Sequence, residues 1–328
     1  MRYRDIILCF LTVALSSCLK DEIGLAIPET RTVTLTVNAD NRTSTKAENL
    51  ANETIINTLQ VLVFRSNGVL DAYAAGSNSS LSLSCTTGPR DIFAVVNAPS
   101  LSSVKTKYEL ISKFTYLTDN SLTNLVMVGN VSSTISGVSV ITIPIIRIVA
   151  RLAILKITNA LEAPNFQSKV FTINKIYVIN VASDNNYGIL GDDPVAGRTW
   201  YNKMAYVYSS ANPLLYDVVS GGTIAYGGSY ETPHYFYVYP NTHATDSQSA
   251  TWSSRYTRLV VEASLDGTTY YYPVSIPIIQ SNKTYTISEL TITVPGSLSP
   301  DIPVSKQFVT GSLTIADRTT GATQTITI

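Results

Sequence analysis

Short runs of alternating apolar and polar residues restrict the fold of this chain more than any other feature. Clear examples are Thr32–Val37, Thr291–Val294 and Thr325–Ile328, and turn-forming residues separate such runs along the chain. Successive side chains of a β-strand point to opposite faces of a sheet, so this pattern predicts strands with one face in a core and the other in solvent. We therefore predict an all-β protein built from antiparallel sheets.

Two tight hairpins are predicted from glycine-containing pairs. Asn67-Gly68 follows the strand-like run Leu59–Phe64, and Asp266-Gly267 separates Arg258–Glu262 from Tyr270–Tyr272. These pairs accept the positive φ values that a two-residue turn requires. Helical spacing occurs only briefly, at Val104, Tyr108, Ile111 and Phe114, and we expect one short helix there, capped by Ser102-Ser103.

The length of the chain indicates two domains. It has 328 residues, and a single hydrophobic core usually stops growing before that size. The apolar stretch Ile145–Ile154 begins a second set of strand-like runs. We expect two tandem β-sandwich domains, 43–146 and 147–328, with one or two short helices. The second ends in two strand-like runs within about 304–328, after a Pro-rich segment.

The chain begins MRYRDIILCFLTVALSSCLKDE. Two arginines precede an apolar run from Ile6 to Leu15, which is too short to cross a membrane and has the pattern of an export signal. Leu15-Ser16-Ser17-Cys18 resembles the bacterial lipobox, which predicts a signal peptide over 1–17 and a lipid such as palmitate on Cys18. Lys20-Asp21-Glu22 resembles the surface-export signal of Bacteroidota lipoproteins, so we expect a lipidated precursor on the cell outer membrane. A plain signal peptide is the alternative.

Motifs for catalysis or cofactor binding are scarce. Lys plus Arg and Asp plus Glu both number 23, so no net charge favours nucleic acid. The sequence has no nucleophile elbow, phosphate loop or dinucleotide fingerprint, and His234 and His243 lack zinc-site spacing. The polar segment 183–193 lacks the oxygen spacing of a calcium loop and is interpreted as a solvated turn. We expect no enzyme activity, no cofactor and no metal.

Two further residue types have competing interpretations. With Cys9 in the leader and Cys18 lipidated, Cys85 has no disulfide partner and is predicted to be a small buried hydrophobe. In Tyr235–Tyr239 the three tyrosines share one strand face, which favours cross-strand aromatic pairing on a half-exposed sheet. The alternative is a stacking platform for a glycan, which would make the chain a surface glycan-binding lipoprotein.

The N-terminal strand-like run is followed by a segment suited to proteolysis. Residues 39–46 are polar and contain Arg42 and Lys46, and exposed polar segments are where proteases cut. A cut after Arg42 would detach the preceding strand and open a groove with unpaired backbone groups. A strand with matching alternation from another chain would fill it by β-augmentation.

These features resemble the FimA-type fimbrillins of Bacteroidota, the shaft subunits of protease-processed pili. The similar segments are 59–64, Gly88-Pro89-Arg90 leading into 93–98, Arg147–Ala153, and Tyr285–Ile287 to Pro295-Gly296. The resemblance implies two transthyretin-like, Greek-key sandwiches and a propeptide, 18–42, that contains the first strand. It also implies cleavage between Arg42 and Thr43 by a trypsin-like surface protease, then polymerisation into an extracellular fimbrium with copies of itself and related subunits.

The resemblance further implies that a C-terminal strand is donated to the groove of a neighbouring subunit. The side chains that we expect to enter the groove are Val309, Leu313, Ile315, Ile326 and Ile328. Arg31 and Lys46 are competing cleavage sites. The chain lacks an aromatic residue after its penultimate strand, where many relatives have one. A minor anchor subunit or a tip adhesin with a host or bacterial surface ligand is therefore the alternative to a shaft subunit.

Overall fold

The computed structural model describes residues 29–39, 51–187, 200–201, 213–243, 245–246, 255–302, 304, 309–317 and 323–327. The predicted sites Cys18, Arg42, Thr43, Lys46 and Ile328 lie outside these residues. Among the described residues, no helix is long and apolar enough to cross a membrane.

The first half of the described chain contains eight strands and one short helix. They are β1 (Thr30–Ala39), β2 (Leu59–Arg65), β3 (Leu70–Gly76), β4 (Ser80–Thr86), β5 (Gly88–Val96), α1 (Lys107–Ser112), β6 (Phe114–Tyr116), β7 (Met127–Ile135) and β8 (Val140–Arg147). Seven strands are hydrogen-bonded in the order β3-β2-β5-β7-β8-β1-β4. Val33, Leu83 and Ile143 from one end of this order pack with Val61 and Ala94 from the other, so the sheet folds over a shared core.

The second half adds fifteen strands and a one-turn helix. They are β9 (Ala150–Ile154), β10 (Ile157–Asn159), α2 (Pro164–Gln167), β11 (Phe171–Ile179), β12 (Val181–Ala182), β13 (Asp184–Asn186), β14 (Trp200–Tyr201), β15 (Tyr216–Val218), β16 (Thr223–Ile224), β17 (Ser229–Tyr230), β18 (His234–Val238), β19 (Thr257–Leu265), β20 (Thr268–Ile276), β21 (Lys283–Ile292), β22 (Val309–Asp317) and β23 (Thr323–Thr327). One sheet has the order β15-β11-β19-β20, and a second is centred on β21. Two short ladders join β12 to β14 and β13 to β6. The all-β prediction with short helices is confirmed.

The two halves share the same strand connections. β1 lies between β8, to which it is parallel, and β4, to which it is antiparallel. Likewise, β9 lies between the parallel β21 and the antiparallel β18, and β10 lies between β21 and β17. The series β3-β2-β5-β7 corresponds to β15-β11-β19-β20. The sequence contains no repeat of fixed period, so only the topology is repeated.

Both predicted hairpin turns are present. Gly68 has φ +81° between β2 and β3, while Asp266 and Gly267 have φ +51° and +81° between β19 and β20. A positive φ is easily adopted by glycine and tolerated by aspartate, which explains these residue choices.

Two local predictions were wrong. The helix α1 begins after Thr106, whose side chain accepts a hydrogen bond from the backbone N–H of Glu109 in a capping box, so Ser102-Ser103 are not its cap. Phe114 belongs to β6 rather than to the helix.

Residues 184–186 form β13 against β6 instead of a solvated turn, and Asn185 is buried. The remaining part of that segment, 188–193, lies outside the described residues.

The sheets change where the domain boundary was predicted. Arg147 is the last residue of β8, and β9 begins at Ala150 in the sheet centred on β21. One continuous cluster of buried side chains, including Phe64, Leu152 and Ile287, joins the two halves. The boundary at 146/147 stays a prediction.

Candidate functional site: the terminal strands and the junction between the halves

The first candidate site is β1, a strand with neighbours on both sides. Residues 30–36 pair with 80–86 of β4, and residues 34–39 pair with 140–145 of β8. The backbone N–H of Thr34 also donates to the carbonyl of Ser139 at 2.9 Å. Without β1, the facing edges of β4 and β8 would have unpaired backbone groups and would form a groove.

The two faces of β1 differ in chemistry. Val33 is 1% exposed and belongs to the core that includes Leu83 and Ile143. On the other face, the hydroxyl groups of Thr32 and Ser84 lie 3.3 Å apart. β1 therefore contributes an apolar row to the core and a hydroxyl row to the surface, as its alternating sequence predicts.

Arg31, one of the competing cleavage sites, lies within β1. It pairs with Cys85 in the ladder and forms an ion pair of 2.5 Å with Glu29. A protease needs an accessible backbone that can enter its cleft, and at Arg31 the backbone is paired with β4.

An ionic cluster holds the end of β4, next to the start of β1. Asp71 accepts hydrogen bonds from Arg65 Nε at 2.7 Å, from the Thr86 backbone N–H at 2.8 Å and from Arg90 Nε at 3.0 Å. Burial by itself raises the pKa of Asp71, but these hydrogen bonds outweigh it and lower the pKa to about 2. Thr86 in turn pairs with Thr30 of β1.

The second candidate site consists of the C-terminal strands. β22 pairs along β21 from Lys283↔Asp317 to Ile292↔Val309, and β23 pairs with β22 over five residue pairs. Leu313 is fully buried in the core of its own chain, and Ile315 is partly buried against that core. Val309 lies in β22 and Ile326 in β23. Within the described residues, β23 has a neighbour on one side only.

A buried ionic cluster fixes the segment that leads to these strands. Asp301, 2% exposed, accepts hydrogen bonds from Asn180 Nδ2 at 3.0 Å and from Arg258 Nη1 at 3.1 Å, and its other oxygen lies 2.6 Å from Arg255 Nη2. Asp246 bonds both arginines from the other side. Two aspartates therefore neutralise two fully buried arginines. One of these aspartates, Asp301, lies eight residues before β22 begins.

A third cluster lies where the two halves meet. The buried carboxylate of Glu53 accepts hydrogen bonds from Arg151 Nη1 at 3.1 Å and from the Tyr237 hydroxyl at 2.7 Å. Its backbone carbonyl accepts from Arg147 Nε at 2.8 Å, while Arg147 Nη1 reaches Asn282 Oδ1 at 3.3 Å. Burial is the main cause that lowers the pKa of Arg147. The sequence singled out both arginines, but no motif marked Glu53 as their partner.

The alternative interpretation of Tyr235–Tyr239 as a stacking platform is wrong for two of the three tyrosines. Tyr237 is 2% exposed and Tyr239 is fully buried, so neither can stack on a ligand. The hydroxyl of Tyr239 donates to the carbonyl of Tyr116 at 3.0 Å and accepts from Asn120 Nδ2 at 3.1 Å. Burial raises the pKa of Tyr239 well above its ordinary value. These tyrosines connect the two halves, so the sheet is buried here rather than half-exposed.

The remaining chemical candidates are structural. Cys85 is 3% exposed in the core, as predicted, and burial raises the pKa of its thiol. His234 is buried between the carboxylate of Asp217, 2.8 Å from Nδ1, and the hydroxyl of Tyr230, 2.9 Å from Nε2. The described residues contain no group of three or more His, Cys, Asp or Glu arranged to hold a metal ion.

Comparison with known families agrees with the N-terminal topology. Residues 31–144 match the family described as "Major fimbrial subunit protein (FimA)". The resemblance to the FimA-type fimbrillins is confirmed. The match covers about a third of the chain and includes β1, β4 and β8, the three strands of the candidate groove. No curated protein matches the chain.

Solved structures extend the likeness over both halves. A putative cell adhesion protein from Bacteroides eggerthii is 19% identical with a TM-score of 0.66, over 88% of this chain and 96% of that one. A fimbrilin (FimA) from Porphyromonas gingivalis is 19% identical with a TM-score of 0.62, over 87% and 97%. The tip fimbrial protein Mfa3 from Porphyromonas gingivalis, with a C-terminal truncation, is 15% identical with a TM-score of 0.54, over 88% and 100%. At these identities the comparisons show a shared fold.

Proposed function

We propose that this chain is a structural subunit of a cell-surface pilus that polymerises by strand exchange. The observation that supports the proposal is the position of β1 between β4 and β8, with the polar segment 40–50 joining it to the rest of the chain. A cut in that segment would leave β1 held only by its ladders and its buried side chains. β1 would then be replaceable by a strand of the same pattern.

The strand that matches β1 best is at the other end of the sequence. Residues 30–35 read TRTVTL, and residues 323–328 read TQTITI. Threonine occupies the first, third and fifth positions of both stretches. The fourth and sixth positions carry a branched apolar residue in both. We propose that Ile326 and Ile328 take the places of Val33 and Leu35, with Gln324 in place of Arg31.

The number of paired residues predicts whether β23 is more stable in its own sheet or in the groove of a second subunit. In the single chain, β23 pairs with one neighbour over five residue pairs. In the groove of a second subunit, residues 323–328 in the place of 30–35 would take over six of the pairs of β1 with β4 and two of its pairs with β8. The strand would also bury apolar area, at about 25 cal/mol per Å². The donated strand is therefore more stable in the groove than at the edge of its own sheet.

This assignment divides the predicted donor residues into two groups. Leu313 and Ile315 pack into their own core, so β22 completes its own domain and β23 alone need move. Transfer of both strands, with Val309, Leu313 and Ile315 inserted as well, would first require that core to open. The ion pairs of Asp301 with Arg255 and Arg258 hold the segment before β22 in place in either case.

The processing steps complete the proposal. The precursor is lipidated on Cys18 and reaches the cell outer membrane, where a trypsin-like protease cuts between Arg42 and Thr43. The lipidated segment 18–42, which includes β1, then leaves. The mature subunit enters the fimbrium. The fold of β1 supports Arg42 over Arg31, because Arg31 is held in the sheet.

The N-terminus of the subunit in filaments sheared from the cell surface tests the proposal. Mass spectrometry should find a start at Thr43, with residues 1–42 missing. A lipid-bearing Cys18 retained in the filament would contradict strand removal, and a lipid-bearing monomer that forms no filament would point to an anchor or a surface lipoprotein.

A pair of substitutions tests the donor strand separately. Ile326→Asp together with Ile328→Asp should give a folded subunit that is processed normally and forms no filaments. Thr325→Ser is the matched control, since it preserves a hydroxyl and the alternation. Normal filaments from the double variant would refute the assignment of β23 as donor.

A further inference from the structure

The two-stranded ribbon of β6 and β13 has an outer face with a distinct composition. Asp184 pairs with Tyr116, Asn185 with Thr115 and Asn186 with Phe114. Thr115 and Asn185 are 0% and 1% exposed, so the central pair points inward. Phe114 and Tyr116 are 47% and 52% exposed. Directly opposed residues share a face, so the outer face carries two aromatic rings, one amide and one carboxylate.

This face is held rigidly. The inward Thr115 lies 3.2 Å from the Tyr239 hydroxyl and donates to Asp119 Oδ2 at 3.0 Å. The same carboxylate oxygen accepts the backbone N–H of Tyr116 at 2.8 Å. At the next residue, the N–H of Leu117 donates to the carbonyl of Ser183 at 2.7 Å. A face fixed in this way loses little conformational entropy when it binds a ligand.

The chemistry of the face fits a sugar. The CH groups on one side of a pyranose ring pack on an aromatic ring, whose face is electron-rich, and the hydroxyl groups at the edge need hydrogen-bonding partners. Asn186 and Asp184, both partly exposed, lie beside Phe114 and Tyr116 respectively. Within the described part of the chain, Oδ1 of Asn186 is covered and accepts no hydrogen bond. This amide and the carboxylate of Asp184 supply the polar groups of the face.

The size of the face argues against a protein partner. A stable protein interface buries about 800 Å² on each side and involves about 20–30 residues. The four outward side chains of this ribbon, which come from two residue pairs, provide much less than that. The carboxylate of Asp184 also disfavours an anionic ligand, because two like charges would be brought together.

We propose that Phe114, Tyr116, Asp184 and Asn186 form a binding site for a neutral glycan. The site does not depend on polymerisation, because it uses neither β1 nor the C-terminal strands. It differs from the alternative platform at Tyr235–Tyr239, where Tyr237 and Tyr239 are buried.

Binding of the full chain to immobilised cellohexaose, maltohexaose and mannohexaose tests the site, with polygalacturonate as an acidic counter-probe. We expect binding to at least one neutral probe and none to polygalacturonate. Tyr116→Ala and Phe114→Ala should each weaken binding about tenfold, since each removes one stacking ring. Tyr116→Leu should lose binding as well. Because leucine keeps an apolar side chain at this position, this variant separates the loss of the ring from a folding defect.

Tyr226→Ala is the matched control, because Tyr226 is 50% exposed in another part of the surface. This variant should bind as tightly as the unmodified chain. The proposal is overturned if no neutral probe binds, or if the ring substitutions on the ribbon leave binding unchanged. It is also overturned if Tyr226→Ala reduces binding equally, or if Tyr116→Ala abolishes a concentration-dependent dimer instead.

Discussion

The hydroxyl of Tyr237 donates a hydrogen bond of 2.7 Å to the carboxylate of Glu53, 184 residues earlier in the chain. Glu53 follows the segment proposed for cleavage, and Tyr237 lies in β18 of the second half. The bond therefore ties the segment that would begin a processed subunit to the second half of the chain. Tyr237→Phe should lower the free energy of unfolding by about 1.5–3 kcal/mol, because a buried charged acceptor loses a donor.

Urea denaturation followed by fluorescence measures this loss. Tyr235→Phe is the control, since Tyr235 lies two residues away in the same strand and is partly exposed. Its substitution should change the unfolding free energy by less than about 0.5 kcal/mol. Equal effects of the two variants would contradict a special role for the Tyr237 bond.

Locking β1 to its neighbour should stop assembly without stopping processing. Thr32 pairs with Ser84, and their hydroxyl oxygens are 3.3 Å apart. We expect Thr32→Cys with Ser84→Cys to form a disulfide under oxidising conditions, because directly opposed residues bring Cβ atoms close to the required spacing. The locked precursor should be cleaved by trypsin but form filaments only after a reductant is added. Filaments from the oxidised protein would show that β1 stays in place during assembly.

The Asp71 cluster should make the N-terminal sheet sensitive to acid. Because the folded pKa of about 2 is lower than the ordinary value of 3.8, the cluster stabilises the fold fully above about pH 4. That contribution is lost as the pH falls towards 2. Thermal melts between pH 5 and pH 2 should therefore fall steeply for the unmodified chain and less steeply for Asp71→Asn. Parallel curves would exclude Asp71 as a source of the acid sensitivity.

Removing the carboxylate of Asp301 should loosen the C-terminal strands. Arg255 and Arg258 are 0% and 1% exposed, and Asp301→Ala leaves them with Asp246 alone. Breaking a buried ion pair in this way costs about 3–5 kcal/mol. We expect limited proteolysis to release residues 309–328 faster than from the unmodified chain. Lys169→Ala, which removes an exposed ion pair with Asp266, should leave the rate unchanged.

Two glycines in the β7–β8 region should differ in how strongly substitution by alanine destabilises the chain. A Cβ at Gly129 would lie 2.0 Å from the carbonyl oxygen of Pro144, whereas a Cβ at Gly137 meets nothing within 4 Å. Gly129→Ala should therefore destabilise the chain by about 3 kcal/mol and Gly137→Ala by less than about 0.5 kcal/mol. Calorimetry measures both. Similar melting temperatures for the two variants would rule out the close approach of β7 and β8.

The sequence predicted those features that depend on short-range patterns. Alternation identified β1, and the Asn67-Gly68 and Asp266-Gly267 turns were located correctly because a positive φ favours few residues. The helix cap was misplaced because Thr106 and Glu109, three residues apart, were not considered as a capping box. The sequence therefore contained the capping signal, although Ser102-Ser103 were predicted as the cap.

Other features depend on pairs that are far apart in the chain. Nothing local distinguishes Tyr237 as buried or indicates that Glu53 lies beside it, because both properties arise when the two halves pack together. The ribbon of β6 and β13 has the same origin, since its strands are about 70 residues apart and each has only three residues. Strands this short carry too little alternation to be recognised from sequence.

The repeated topology of the two halves has a consequence for the shape of any polymer. β9 and β10 occupy in the second half the position that β1 occupies in the first, but the segment that follows them forms the helix α2 and leads into β11. In the proposed exchange, only the first half would release its strand. A subunit with one groove and one donor strand would have two ends, so growth by this exchange would be linear and unbranched.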